Sequence, residues 1–588
     1  MFKLLLKFNK RDYILIAIAC GFIVLGVWFD LSIPTHMGNI AELVRNESGT
    51  ATTGQVVIQG VYMLSFAIGS VITSFIIAWI AAMVSAGQAE KIRREIYQKV
   101  DGFSLTEVKK FSTASLITRS TNDVTQVRMF TAMAIQMLIR APVLAIWAIV
   151  KISNSGWQIS LVTATVVFII SAVMIVILAL CLPRFKKVQK LTDDLNRVSR
   201  ENLTGVRVVR AYNAKYFEQA KFEKVNHELA GHNMFVGRVM GFAWPFYAMI
   251  LTGVTVAIYW VGSSMIGAGT VAAAAAPKFA EDLIVFSQYS MNIMLAFILL
   301  IWVLTMLPRT LVSAKRISEV LETKVSIESG DLLVEENFKN IEFKNVGFKY
   351  PGAEENVLSD ISLTIKRGQT VAFIGSTGCG KSTLVNLLSR IYDPSEGEVS
   401  IGGTSVKNMQ LESLNDAVGY VPQTAIIFGG TVKENVAFGS SSGKDPGDDD
   451  VVRALKIAQA WDFVEKYEEG INAPIEQRGK NLSGGQKQRL SIARIVARNP
   501  KIFIFDDTFS ALDYKTDKNL RKALKKELKD ATVLIVAQRI GTIKNVDQIF
   551  VMENGRIVGS GKHDELLQNC KVYKEIALSQ LSEEELLG

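Results

Sequence analysis

A helix that crosses a hydrocarbon core about 30 Å thick needs roughly 20 apolar residues. Stretches of that kind recur at approximately 13–34, 56–84, 129–151, 157–182, 239–265 and 283–307. The first half of the chain is therefore expected to be an α-helical polytopic membrane domain with six spans. From about residue 339 the texture changes to short apolar strands, glycine-rich turns and charged helices, as in an ordinary α/β domain. At 588 residues the chain is too long for one core. The expected division is a membrane domain over 1–310, a linker over 311–338, an α/β phosphate-loop domain over 339–580, and a tail over 581–588.

The net charge of +9 is distributed as membrane topology requires. Lys91, Arg93, Arg94, Lys99, Lys109, Lys110 and Arg119 lie between the second and third stretches, and a second basic set from Arg184 to Arg210 lies between the fourth and fifth. The opposite loops are nearly free of cations. This bias puts both termini and the two long connections in the cytoplasm. No aromatic-and-basic platform or DNA-binding motif appears, so nucleic acid is not an expected partner. The connections KIRREIYQKV and KKVQKLTDDLNRVSRENL have helical composition and spacing, and read as cytoplasmic continuations of the spans. The basic N-terminal segment runs into the first stretch without a small-residue cleavage site, so that stretch reads as an uncleaved span.

Cys20, Cys181, Cys379 and Cys570 are scattered, and His36, His227, His232 and His563 make no metal-ligand pattern. Ionisable residues are scarce in the spans, and Asp30 and Lys151 read as interfacial. A cavity would have to be lined by apolar and aromatic residues such as Trp147, Phe242, Trp244, Phe246, Tyr247, Phe286, Tyr289, Met291, Met294 and Phe297. Such residues suit adaptable hydrophobic ligands, and equally suit helix packing.

GSTGCGKST, residues 375–383, matches G-x-x-x-x-G-K-[ST], follows the apolar strand TVAFI and opens the helix LVNLLSRIY. That is the context a phosphate loop requires. The stretch Gly375, Ser376, Thr377, Gly378, Cys379, Gly380, Lys381, Ser382 and Thr383 is thus a candidate ATP cradle. Backbone N–H groups of Gly378 and Gly380 face phosphate oxygens, Lys381 reaches the β- and γ-phosphates, and the Ser382 hydroxyl binds Mg²⁺. The strand KIFIF ends in Asp506, the expected second magnesium anchor. Between them, NLSGGQKQRLSIARIVARNP offers a hydroxyl and close backbone N–H groups at a helix start.

Together these three elements resemble an ATP-binding cassette, and LSGGQ (Leu482, Ser483, Gly484, Gly485, Gln486) is what separates that family from other phosphate-loop proteins. The six-span half, including RENLTGVRVVRAY, looks like the membrane domain of an ABC exporter fused to its cassette, so the resemblance covers essentially the whole chain. It implies that Tyr350 stacks on adenine, that Gln423 touches magnesium and the membrane domain's coupling helices, and that Asp513 lies in the loop crossing a dimer interface. It also implies a head-to-tail dimer in which each ATP lies between one subunit's phosphate loop and the other's LSGGQ, with ATP and Mg²⁺ as cofactors.

Two positions depart from the family pattern. Asp507 stands where a catalytic glutamate is expected, and Gln538 where a histidine would contact the γ-phosphate. Gln477 replaces a glutamate near the signature. Both main departures serve the chain's own phosphate loop, while LSGGQ, which would serve a partner's, is intact. The expectation is one half of a heterodimeric multidrug-type exporter in a bacterial plasma membrane, with a homologous partner carrying the glutamate and histidine, and with a hydrophobic or amphipathic substrate. The alternatives are a slow homodimer using Asp507 as base, or an ATP-gated channel or sensor with little turnover.

Overall fold

In lipid a backbone amide finds its partner within its own helix, so long apolar runs become long helices. The computed structural model describes residues 2–5, 7–45, 53–153, 157–271, 275–439 and 446–580, and the tail expected over 581–588 lies outside them. The chain forms two units, Met1–Lys99 with Ala114–Glu322, and Val100–Thr113 with Thr323–Gly588.

The first unit is helical. Its long segments among the described residues are Lys10–Arg45, Thr53–Asp101, Thr113–Ile152, Trp157–Thr204, Lys215–Gly267 and Ala276–Glu322. By length and composition, five of them can cross a membrane; in Trp157–Thr204 the described apolar stretch runs only from Ile159 to Ile169. The Thr53–Asp101 helix has 49 residues, a length of about 70 Å at 1.5 Å per residue, so it greatly exceeds a bilayer core.

Packing assigns several aromatic candidates. Phe286, Tyr289 and Met294 are buried in a core with Val27, Leu31, Leu144 and Ile258. Tyr289 donates its hydroxyl to Leu31 O at 3.1 Å, as a buried phenol must. Phe297 packs against the same core and also borders a cavity of about 410 Å³ beside Thr163 and Phe168, while Phe242 and Phe246 border another of about 440 Å³ with Arg238. Trp244 lies outside the residues whose side chains are described.

Asp30 has an ion-pair partner on another helix. The first helix continues through Pro34 to Arg45, which places Asp30 well inside it. Its carboxylate accepts from Ser70 Oγ at 2.5 Å and pairs with Arg140 at 2.6 Å, each partner coming from a different helix. A charge inside a membrane helix persists where a partner offsets its desolvation.

The last long helix also runs through residues 311–322, the first part of the expected linker. Thr310, Ser313, Ala314, Ile317 and Val320 are buried at intervals of three and four, which keeps one face of the helix covered.

The second unit is built on a six-stranded sheet in the order Arg556–Gly561, Gln548–Glu553, Thr370–Gly375, Thr532–Val536, Ile502–Asp506, Val418–Val421. All neighbours are parallel except the first pair. Every residue of Ile502–Asp506 is buried, as expected for a parallel strand covered on both faces. Full burial of each large side chain there contributes about 1.5–3 kcal/mol. A second, antiparallel sheet orders Leu358–Lys366, Asn340–Phe348, Glu396–Ile401 and Thr404–Ser405. The short helix Leu105–Phe111 belongs to this unit, capped by Ser104 and Glu107. The parallel strands converge at their C-terminal ends, where open α/β sheets bind ligands.

Candidate nucleotide site

Two glycines shape the phosphate loop. Gly380 has φ 100° and caps the helix Lys381–Leu388, and a side chain there would meet Leu358 Cδ2 at 2.6 Å. Gly375 lies against Met552 O, 2.1 Å from where a Cβ would be. Ser376, Thr377 and Gly378 are exposed, whereas Cys379, Gly380, Lys381 and Thr383 are buried. Lys381 Nζ turns back over the loop, donating to Gly375 O at 2.8 Å and Ser376 O at 2.7 Å. Its ammonium thus rests on two of the loop's own carbonyl oxygens.

Asp506 ends its strand 3% exposed, with both carboxylate oxygens engaged. Ser382 Oγ donates to Oδ1 at 2.8 Å and Tyr420 OH to Oδ2 at 2.9 Å. Burial and the Asp506 charge push the Tyr420 phenol well above its usual range, so it stays a proton donor. No cluster of three or more His, Cys, Asp or Glu is present among the described residues. A hydroxyl beside one buried carboxylate is nonetheless a hard-oxygen set that fits Mg²⁺, which takes one or two protein oxygens and otherwise phosphate and water.

The two departures meet. Gln538 Nε2 donates to Asp507 Oδ2 at 2.9 Å, and Gln423 Nε2 donates to the same oxygen at 3.1 Å. Asp507 has φ 47° and donates its backbone N–H to Val536 O at 2.9 Å, which holds the carboxylate close to the sheet end. Burial pushes this carboxyl above its usual range, opposed mainly by the Gln423 hydrogen bond. Gln580 fixes the Gln538 segment from outside, donating to Gln538 O at 2.7 Å and accepting from Ile540 N at 2.9 Å.

Tyr350 packs edge-on against Phe348 and Tyr392, and its hydroxyl lies 3.0 Å from Thr383 Oγ1. The adenine-stacking candidate is thereby tied to the phosphate loop. Lys109 of the short helix donates to Tyr392 OH at 3.0 Å and stands 5.2 Å from the centre of the Tyr350 ring. That hydrogen bond raises the Lys109 ammonium above its usual range.

The signature forms a capping box. Ser483 Oγ accepts from Gln486 N at 3.3 Å while Gln486 Oε1 accepts from Ser483 N at 2.8 Å, starting the helix Gly484–Arg498. Leu482 is buried beneath it, and Ser483 and Gly484 are exposed. Asp513 is likewise an exposed helix cap, and the Thr516 backbone N–H holds its carboxyl below the usual range. The phosphate loop, Tyr350, Gln423, Asp506, Asp507 and Gln538 therefore form one connected group. Among the described residues no hydrogen bond joins the signature or Asp513 to it.

Tyr420, Tyr392 and Lys109 escaped the sequence reading. Tyr420 sits in YVPQ, three residues before Gln423, and only the alternation of the strand could have pointed it at Asp506.

Residues 358–510 match a family model described as ABC transporter, and residues 16–306 one described as ABC transporter transmembrane region. The chain is 35% identical over 551 residues, 92% of each chain, to an uncharacterized ABC transporter ATP-binding protein of Mycobacterium tuberculosis (strain CDC 1551 / Oshkosh). It is 29% identical over 518 residues to the ATP-dependent lipid A-core flippase of Bordetella avium (strain 197N), covering 87% of this chain and 85% of the relative. It also superposes with a TM-score of 0.78 on a bacterial Atm1-family ABC exporter with ATP bound, covering 97% of this chain and 100% of the other; at 22% identity the likeness is one of fold.

Proposed function

The chain belongs to the ABC transporter family, as a half-transporter whose membrane region of exporter fold is fused to its ATP-binding cassette, and we propose that it is one subunit of a heterodimeric, ATP-driven exporter. The contact that carries this reading is Gln538 Nε2 on Asp507 Oδ2 at 2.9 Å. The two groups that would have to act on water and γ-phosphate bind each other instead. A neutral amide cannot take up positive charge beside the developing phosphate anion, and a carboxylate one methylene short sits back from the water. Hydrolysis at this chain's own phosphate loop is therefore slow. ATP binding is retained, because Tyr350, Lys381, Ser382 and Asp506 are all in place.

In this reading Lys381 releases the carbonyls of Gly375 and Ser376 and turns its ammonium to the β- and γ-phosphates. Ser382 and Asp506 hold Mg²⁺, which when bound neutralises charge on the β- and γ-oxygens. Ser483, exposed at a helix start, presents its hydroxyl and N–H groups to the partner's ATP.

A partner is further supported by the tip between the Trp157–Thr204 and Lys215–Gly267 helices, where Leu203, Tyr212, Tyr216 and Phe217 are 77%, 81%, 78% and 71% exposed. A row of large apolar groups left in water fits docking on another subunit. The apolar cavities beside Phe297 and Phe242 suit hydrophobic or amphipathic cargo, lipid-like or drug-like, and the lipid A-core flippase relative favours the lipid-like end. The charge bias of the basic connections supports a cytoplasmic cassette, and the bacterial relatives support a bacterial plasma membrane.

ATPase activity in lipid vesicles tests the proposal, with this chain alone and then co-expressed with a homologous half-transporter. Activity should appear with the partner, vanish when the partner's catalytic glutamate is replaced, and change little in Asp507→Ala. Comparable activity from this chain alone, lost in Asp507→Ala, would mean a homodimer with a working aspartate base. Paired activity that no transported compound stimulates would favour a gated channel or sensor.

A further inference from the structure

Mg²⁺ anchors of this kind are usually discussed as one carboxylate and one hydroxyl, but here the carboxylate has a second holder. We propose that Tyr420 is a positioning residue for the cation: its hydroxyl fixes the Asp506 carboxylate in the orientation that binds Mg²⁺ with ATP. The strand register leads directly to the contact. Tyr420 pairs with Ile504 in the parallel ladder between Val418–Val421 and Ile502–Asp506, and side chains two apart along a strand share a face. Asp506 is therefore the next side chain along on Tyr420's side, within reach of a long aromatic ring.

The hydrogen bonds define the orientation. With Ser382 Oγ on Oδ1 at 2.8 Å and Tyr420 OH on Oδ2 at 2.9 Å, each oxygen has one fixed donor, and rotation of the carboxylate about Cβ–Cγ would break both bonds. Ser382 belongs to the cation site itself. When its oxygen turns to the metal, the Ser382 hydroxyl proton no longer needs to point at Asp506, and Tyr420 is the donor that remains. A group that hydrogen-bonds a metal-binding carboxylate from outside typically changes metal affinity by about 10–100-fold when removed. Ring and hydroxyl have separate jobs: the ring is half-buried on its strand, so phenylalanine preserves the packing and removes only the donor.

This inference rests on Asp506 being the cation anchor, and the experiment separates the two ideas. Mn²⁺ is titrated into the full-length chain in lipid nanodiscs with saturating ATP, and bound metal is followed by electron paramagnetic resonance. Metal-free ATP binding is measured in parallel with a fluorescent ATP analogue in EDTA. Tyr420→Phe should weaken Mn²⁺ binding roughly tenfold or more while leaving metal-free nucleotide binding unchanged. Unchanged Mn²⁺ affinity in Tyr420→Phe, with the expected loss in Asp506→Asn, overturns the role of Tyr420 alone. Unchanged affinity in Asp506→Asn overturns the anchor itself. If Tyr420→Phe weakens metal-free ATP binding as much as Mn²⁺ binding, the hydroxyl supports the pocket in general and the positioning role is wrong.

Discussion

Lengthening Asp507 by one methylene tests why this site should be slow. The wild-type carboxylate is held near its own backbone, with Oδ2 accepting from Gln423 Nε2 at 3.1 Å and Gln538 Nε2 at 2.9 Å. Asp507→Glu moves the carboxylate outward by about 1–1.5 Å, one carbon–carbon bond, and misplacement by about 1 Å can cost on the order of 100-fold in rate. Reaching water from the wild-type position also means giving up an amide. A hydrogen bond to a charged group contributes about 1.5–3 kcal/mol, equivalent to roughly 10- to 150-fold in rate. Both penalties fall on one carboxylate and do not simply add, so Asp507→Glu should raise turnover at this site about 100-fold. The assay is phosphate release from this chain paired with a partner whose own catalytic glutamate is replaced by glutamine, so that only this phosphate loop reports. Equal nucleotide affinity in wild type and variant would establish that the comparison concerns chemistry. Turnover no faster in Asp507→Glu, with ATP still bound, would refute the argument from reach.

Three other outcomes are expected. Base stacking contributes about 1–3 kcal/mol when tested by alanine substitution, so Tyr350→Ala should weaken ATP binding roughly 5- to 150-fold, whereas Tyr350→Phe should keep most of the affinity; a fluorescent ATP analogue measures both. Removing one member of a buried ion pair costs about 3–5 kcal/mol, but Arg140 and Asp30 are 29% and 23% exposed, so each of Asp30→Asn and Arg140→Gln should cost only about 1–2 kcal/mol. Thermal unfolding in nanodiscs should show the double variant losing less than the sum of the singles, and strict additivity would mean that the pair does not interact. Burial pushes His563 below its usual value of 6.5, so between its folded pKa and that value the unfolded chain binds more protons than the folded one. Its contribution to stability is complete above about pH 6.5 and is lost as pH falls through the window. His563→Gln should flatten that acid limb of the melting curve.

What could be read from the sequence follows from how local each feature is. The phosphate loop needs only a strand, a glycine run and a helix start, all within residues 370–388, and Gly380 at φ 100° shows why that position has no side chain. Asp507 and Gln538 could be named singly as departures, but their contact depends on the parallel pairing of Asp506 with Val536. That register brings two strand ends together from 31 residues apart. Lys109 counted in the sequence only as one cation in a basic loop, because its partner Tyr392 lies 283 residues away. The pairing of Asp30 was hidden for a different reason: hydropathy carries no information about a half-buried arginine on another helix.

The contacts around the strand Val418–Val421 also tie the site to the signature helix. Tyr420 bonds Asp506, Gln423 bonds Asp507, and between them Pro422 O accepts from Gln488 Nε2 at 3.3 Å. Gln488 is 2% exposed and lies on the helix that begins at the signature. Residues 420–423 therefore touch Asp506, Asp507 and the signature helix in one short run. Ligands reaching Asp506 and Asp507 meet carboxylates already held by this run. Gln488 thus links this run directly to the helix whose start, under the proposed function, faces the partner's ATP. In the proposed heterodimer this link would give nucleotide occupancy a route to the partner's site that does not depend on turnover at Asp507.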